Sequence, residues 1–282
     1  MARPYRSMLY IPASKERALE KARDLPADAI IFDLEDAVLP EEKSRARDIL
    51  LRELEVADFG SRARIVRING LDTAWGRDDA AAFAGNAAVN GVLVPKVGRA
   101  ADLDAVAALM PDVPLWAMME TARGMLNAAE IAAHRRLVGM VVGTNDLARE
   151  IGSRFRPDRL PLMAGLGACV LAAKAEGRVV IDGVYNTFKD AVGLRGECEQ
   201  GRDMGFDGKT LIHPDQLAVA NEVFAPSPEE ISLAARQIAA FREARARGEG
   251  VAVLDGRIVE NLHVETARRI LEQAEAIAGG GE

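Results

Sequence analysis

Cysteine is almost absent from this chain, with Cys169 and Cys198 the only two in 282 residues. Two thiols without partner spacing make neither a disulfide framework nor a metal site. The expectation is two reduced side chains on helices, as in a cytoplasmic protein. Excess basic charge is missing as well, since the formal net charge is −7. That balance argues against nucleic acid or an anionic membrane as a partner, although a local basic patch for a phosphorylated ligand remains compatible with it. No apolar run approaches the roughly 20 residues that span a bilayer. The N-terminal stretch MARPYRSMLYIPAS lacks an apolar segment followed by a small-residue cleavage site, so no signal peptide is expected. Low-complexity sequence is absent until the terminal AGGGE, which is expected to fray. Also missing are a Ser-His-Asp order, an H-E-x-x-H pair, a P-loop and a G-x-G-x-x-G turn between strand and helix.

What the chain does have is a rhythm. Eight short apolar segments recur at nearly constant spacing: SMLYIP, AIIFDLED, RIVRIN, GVLVPKV, PLWAMMET, GMVVGTND, VVIDGVY and GKTLIHP. Stretches with helical periodicity separate them. Eight alternating strand and helix units are the pattern of a (β/α)8 TIM barrel, an α/β fold that uses about 250 residues as one domain. The sequence therefore predicts a catalytic barrel over residues 1–225 and a C-terminal helical and hairpin extension over 226–282. In the extension, Ser227, Pro228 and Glu230 spell a capped helix start. Asp255-Gly256 marks a hairpin turn, and HVETARRILEQAEAIA reads as a last amphipathic helix. An extension of about 55 residues is too small for a robust core of its own. It is expected to pack on its own barrel or on a neighbouring subunit. Within the barrel, Ser14 is expected to cap SKERALEKARDL, and TARGMLNAAEIAAH reads as the helix after the fifth strand.

Barrels of this kind build their sites from the C-terminal ends of the strands. The polar residues there include Asp33, Glu35, Asp36, Arg67, Asn69, Lys96, Glu120, Asp146, Asp182 and His213. Glu120 and Asp146 stand 26 positions apart, one strand-helix unit, and so should emerge from adjacent strands. Two carboxylates placed that way suit a hard divalent cation, Mg2+ or Mn2+, that keeps several waters and leaves positions for substrate oxygens. The alternative is that each acid caps a helix or pairs with a base. Asp33, Glu35 and Asp36 crowd three carboxylates at one strand end, which is costly unless a cation or bases such as Lys43 or Arg45 neutralise them. Arg67 has the forked geometry to hold a carboxylate or a developing enolate, or else it is structural. Lys96 is either an anion contact or an ion-pair partner, and His213 either a functional group or a hydrogen-bonded rim histidine.

The motifs SMLYIPAS, IIFDLEDAV, RINGLDT, VLVPKV, METARGMLN, GTNDLA, IDGVYNTFKD and GFDGKTLIHPDQ, in that order, resemble the citrate lyase β-subunit-like family of acyl-CoA lyases. That family includes malyl-CoA, citramalyl-CoA and β-methylmalyl-CoA lyases. The resemblance spans essentially the whole chain. It implies a TIM barrel, a Mg2+ site and a homo-oligomer, trimer or hexamer. It also implies carbon-carbon cleavage of a 3-hydroxy-carboxyacyl-CoA to acetyl- or propionyl-CoA and a 2-oxo acid, or the reverse condensation. By resemblance Glu120 and Asp146 match the metal ligands, Glu35 and Asp36 match residues that hold metal-bound water, and Arg67 matches the arginine facing the reacting carbonyl groups. Arg6, Lys15 and Asp182 lie where the family tends to place groups that contact CoA. The chain departs from the family at Pro12-Ala13-Ser14, at Thr144-Asn145 before Asp146, and at Glu260. Glu260 stands where an Asp usually serves as a lid residue for the neighbouring active site, in acid/base work. Two other readings are a metal-dependent aldolase for free 2-oxo acids and a citrate lyase β subunit acting on an acyl-carrier thioester within a complex.

Overall fold

The computed structural model describes residues 3–279. A closed barrel runs β1 (Ser7–Pro12), β2 (Ala29–Asp33), β3 (Ala63–Arg67), β4 (Gly91–Val94), β5 (Leu115–Met119), β6 (Leu137–Val142), β7 (Val179–Asp182) and β8 (Gly208–Leu211). Each strand pairs in parallel with the next, and β8 returns to β1. Between and after the strands lie α1 (Glu16–Ala22), α2 (Lys43–Val56), α3 (Gly76–Phe83), α4 (Ala100–Leu109), α5 (Ala122–Leu126), α6 (Ala128–Ala132), α7 (Thr144–Glu150), α8 (Met163–Ala175), α9 (Ala191–Met204) and α10 (Leu217–Val223). The strands read as near-continuous apolar runs because a parallel sheet is covered on both faces. All of β2, β4, β5 and β8 is buried.

The barrel interior is a layered core that includes Met8, Ile31, Ile65, Leu93, Trp116, Val141 and Ile181. Trp116 is its largest member, and glycines on the two flanking strands make room for it. A Cβ on Gly139 would stand 2.4 Å from Trp116 Cζ3, and one on Gly91 would stand 3.0 Å from its Cδ1. Alanine at position 139 would therefore overpack a core that tolerates little added volume.

The strand register also places charge. Asp33 of β2 pairs with Arg67 of β3, and Asp182 of β7 pairs with Lys209 of β8. In both pairs an acid and a base leave adjacent strands side by side.

The barrel unit is Tyr5–Glu222, and a second compact unit carries the extension from Val223 onward. That unit contains α11 (Pro228–Ala246), the hairpin strands β9 (Ala252–Leu254) and β10 (Arg257–Val259), and α12 (Asn261–Gly279). Ser227 Oγ accepts from Glu230 N–H at 3.2 Å while Glu230 Oε2 accepts from Ser227 N–H at 2.7 Å, the reciprocal cap read in the sequence. Asp255 and Gly256 have φ of 50° and 76°, which suits a two-residue hairpin turn. Val259, Val264, Ala252 and Ala244 form a small core of this unit.

Two local expectations change. Ser14 does not cap α1. The helix starts at Glu16 with Lys15 at the capping position, and Ser14 Oγ is buried without a hydrogen-bond partner among the described residues. A tight turn, with Lys15 N–H donating to Pro12 O at 3.0 Å, keeps Ser14 inside the loop. The segment TARGMLNAAEIAAH forms two short helices rather than one, broken at Asn127, whose side chain donates to Gly98 O at 2.6 Å. Of the terminal AGGGE, the last three residues lie outside those described.

Candidate active site at the carboxyl ends of the strands

Arg67 organises one sector of the rim. It is 6% exposed, and its fork grips Asp33, with Nε donating to Oδ1 at 2.7 Å and Nη2 to Oδ2 at 2.6 Å. Its remaining edge, Nη1, lies 3.2 Å from Glu35 Oε2 and 3.3 Å from Asp36 Oδ2. The Tyr10 ring lies under the guanidinium, 5.0 Å from Cζ. A charge-assisted bidentate pair on adjacent strands is rigid as well as strong.

The loop after β2 is held from below. Asp33 accepts N–H groups from Glu35 at 2.9 Å and Ala37 at 3.1 Å, which curls FDLEDA back over the strand end. Lys43, buried at the head of α2, donates to Leu34 O at 3.0 Å and Glu35 O at 2.7 Å. Asn69 donates to Leu34 O at 2.9 Å and to Asp79 Oδ2 at 2.6 Å. Lys43 thus meets the loop through carbonyl oxygens, while the carboxylates themselves meet Arg67 and Lys96. Burial pushes the Glu35 carboxyl up, against the pull of Arg67, and its hydrogen bond with Asp36 adds to the rise. Asp36, half exposed, sits low in spite of its partial burial, because the Glu35 hydrogen bond and the Arg67 charge favour its anion.

Glu120 follows β5 and is 1% exposed. Its Oε1 accepts the Lys96 backbone N–H at 2.9 Å, and its Oε2 has no partner among the described residues. Gly143, after β6, packs directly on this carboxylate, and a Cβ there would stand 2.6 Å from Oε2. Burial pushes the Glu120 carboxyl up to about 7, opposed by Arg67 and the Lys96 N–H and helped by Asp146 and Glu35. Asp146 lies in the first turn of α7 and pairs with Arg149. Lys96 Nζ pairs with Glu35 Oε1.

The rim thus brings together Glu35, Asp36, Arg67, Lys96, Glu120 and Asp146. Lys15 stands exposed at the head of α1 on the same end of the barrel. Arg6 is placed elsewhere. It precedes β1 and so belongs to the opposite mouth, where Nε and Nη2 grip Asp28 at 2.9 and 2.7 Å. Asp182 is fully buried, with both carboxylate oxygens 2.7 Å from Arg159 Nη1 and Oδ2 3.1 Å from Lys209 Nζ, so it has no surface to offer a ligand. Glu260 belongs to the extension, exposed just before α12, where its N–H donates to His263 Nδ1 at 3.0 Å. His213 stacks on Phe188 at 4.6 Å between ring centres and caps a short turn.

Groups missed in the sequence surround this set. Gly143 makes room for Glu120, and its place immediately before a helix that carries a candidate ligand was a usable signal. Beside Asp146, Asn145 and Asn186 exchange amide hydrogen bonds of 3.1 and 2.8 Å, tying the β6 and β7 loops together. A cleft of about 450 Å³ opens there, lined by Thr144, Asn145, Phe155, Leu162, Tyr185 and Glu197 among others.

Among the described residues no cluster of three or more His, Cys, Asp and Glu forms a ready cage for a metal. A Mg2+ site needs only one or two carboxylates with waters and substrate oxygens. Glu120 Oε2, buried and unpartnered beside Asp146, fits that requirement, because an unsatisfied buried carboxylate oxygen is costly without a cation.

A family model described as HpcH/HpaI aldolase/citrate lyase matches residues 6–214. The chain is 70% identical over 277 residues to a (3S)-malyl-CoA thioesterase of Cereibacter sphaeroides, covering 98% of this chain and 97% of that one. It is 35% identical to an L-malyl-CoA/beta-methylmalyl-CoA lyase of the same species, covering 98% and 96%. Among solved structures, CitE of Mycobacterium tuberculosis in complex with magnesium, acetoacetate and coenzyme A superposes with a TM-score of 0.81 and 33% identity, covering 97% of this chain and 98% of that one.

Proposed function

The chain belongs to the HpcH/HpaI aldolase/citrate lyase family, and from that premise we propose that it hydrolyses the thioester of a 3-hydroxy-carboxyacyl-CoA such as (3S)-malyl-CoA. The products would be CoA and the free acid. The observation that carries hydrolysis over carbon-carbon cleavage is the 70% identity, over 98% of this chain, to a (3S)-malyl-CoA thioesterase, about twice the identity to a lyase. Either chemistry develops an oxyanion that calls for fixed donors, and with two guanidinium nitrogens of Arg67 bonded to Asp33 its Nη1 edge is the part that remains for other contacts.

Glu120 and Asp146 would hold Mg2+, which when bound polarises the carboxylate and hydroxyl ends of the substrate as a Lewis acid. The rest falls to the chain's own groups. Glu35, buried and steadied by Arg67 and Lys96, takes a proton from water as the oxygen attacks the thioester carbon. The tetrahedral carbon collapses, the C–S bond breaks, and the same carboxyl returns the proton to the thiolate. The Nη1 edge of Arg67 keeps Glu35 and Asp36 from repelling each other during that exchange.

Carbon-carbon lyase chemistry is the second reading, favoured by the intact pair of Glu120 and Asp146 and by the 35% identity to a lyase. We also propose that the protein is a cytoplasmic homo-oligomer in which Glu260 of one copy serves the site of another. Product analysis separates the two chemistries. Given (3S)-malyl-CoA and Mg2+, hydrolysis releases one thiol per substrate and no 2-oxo acid. Formation of a 2-oxo acid and acetyl-CoA without thiol release would overturn the proposal in favour of the lyase.

A further inference from the structure

Lys96 has φ of 52°, one of three non-glycine residues with positive φ among those described. The left-handed region is unfavourable for a side chain with a Cβ, and such residues persist where the surroundings hold them for a purpose. Here the turn has two visible effects. The backbone N–H of Lys96 points at Glu120 Oε1, 2.9 Å away, and its Nζ reaches Glu35 Oε1. One residue therefore touches two of the three acids that the proposed chemistry needs.

The bond to Oε1 decides what Glu120 can offer. With Oε1 occupied, Oε2 is the oxygen left bare, and it is buried against Gly143. A carboxylate free at both oxygens could rotate and chelate with either or both. The side chain of Lys96 is 48% exposed, so its ion pair contributes little to folding. Its value is positional. We infer that Lys96 is a positioning residue whose left-handed backbone selects a single oxygen of Glu120 for a divalent cation, while its ammonium fixes Glu35 beside it. This rests on Glu120 being a metal carboxylate.

The backbone half and the side-chain half can be separated by substitution. Gly and Asn accept positive φ, Ala resists it, and β-branched Val resists it most. All four lack the ammonium. The experiment measures Mg2+ affinity by titration calorimetry on the ligand-free protein, turnover on (3S)-malyl-CoA, and melting temperature. Lys96→Gly and Lys96→Asn should bind Mg2+ within about threefold of wild type, since the N–H still points at Oε1. Lys96→Val should bind it about tenfold or more weakly, the usual cost of losing a group that orients a metal ligand. Lys96→Ala should fall between and serves if Lys96→Val does not fold. Turnover should drop about tenfold or more in all four, through the loss of the contact to Glu35, whatever the Mg2+ affinity.

Equal Mg2+ affinity for Gly and Ala variants that both melt cooperatively would overturn the backbone role. Wild-type turnover in Lys96→Gly would overturn the side-chain role. If wild type itself shows no Mg2+ binding, the metal assignment of Glu120 fails first, and this inference goes with it.

Discussion

The barrel carries two ion networks of similar composition and opposite character. One grows from the Asp33–Arg67 register pair and the other from the Asp182–Lys209 pair. In the second, Lys209 is fully buried and donates to Asp182 at 3.1 Å, Gly183 O at 2.5 Å and Glu197 at 2.7 Å. Its three donors are spent, and the Asp182 oxygens are shared between Lys209 and Arg159. The first network instead has more carboxylates than cations, neighbouring carboxyls of Glu35 and Asp36 shifted in opposite directions, and a bare oxygen on Glu120. The closed network has the make of a strut and the open one that of a reagent. Exposure separates them, since Asp36 and Lys96 of the first are about half exposed. So does the kind of atom left without a partner among the described residues, a carboxylate oxygen of Glu120 in the first and a guanidinium nitrogen, Arg159 Nη2, in the second.

Breaking the closed network should give the largest effect. Lys209→Met leaves Asp182 buried beside Arg159 alone and should destabilise the protein by about 3–5 kcal/mol, the cost of removing one partner from a buried pair. Denaturant unfolding measures it, and kcat of the folded fraction should stay close to wild type. A folded, stable Lys209→Met enzyme that has lost turnover would move this network into the site.

The two networks should also respond to pH with opposite sign. Glu120 is raised from 4.5 to about 7. The folded state therefore binds more protons than the unfolded one between those values. Metal-free stability from this group is greatest below about 4.5 and declines by up to about 3 kcal/mol as pH rises to 7. Asp182 is lowered by Lys209 and Arg159, which outweigh its burial, so its contribution is present above its unfolded value and is lost as pH falls. Mg2+ offsets only the Glu120 penalty and should raise the melting temperature more at pH 8 than at pH 5. An equal rise at both would contradict the assignment.

Glu120→Ala or Asp146→Ala should cost on the order of 100-fold in turnover with folding largely retained. Full turnover of either variant in EDTA would remove the metal from the reaction. Arg67→Lys keeps the charge and loses the fork. Because that fork holds Asp33 and thereby the Glu35 loop, kcat should fall roughly tenfold with little change in KM. The smallest expected effect belongs to Glu260→Ala, a few-fold loss of turnover. Mixed oligomers of Glu260→Ala with Arg67→Ala chains should regain part of the activity, and no regain in verified mixtures would make Glu260 a solvated charge.

The strands were legible because parallel strands are uniformly apolar and end in polar residues. Glu120, Asp146, Glu35, Asp36 and Arg67 were legible for the same reason, each coming just after such a run. Arg159 was not. It sits in REIGSRFRPDR, which reads as a polar loop, and its 4% exposure and φ of 51° depend on contacts with β7 and α9 residues remote in sequence. Lys209 carried a signal that was passed over, a charged residue inside an apolar strand one unit after Asp182. Arg6 was assigned by resemblance alone, and its grip on Asp28, 22 residues away at the head of β2, could not be read from the sequence. Ser14 misled because a capping residue type does not fix the turn that precedes the helix.

The two cysteines bear on how the protein can be watched. Cys169 and Cys198 are both fully buried, and burial pushes each thiol up to about 12. Neither forms thiolate near neutral pH or meets a reagent while the fold is intact. A chromogenic disulfide added to the folded protein therefore stays silent toward it and would report only the CoA that the proposed hydrolysis liberates. Once the barrel opens, the same dye gains two sulfur atoms per chain. One cuvette can thus follow catalysis as a steady slope and loss of structure as a step of fixed height.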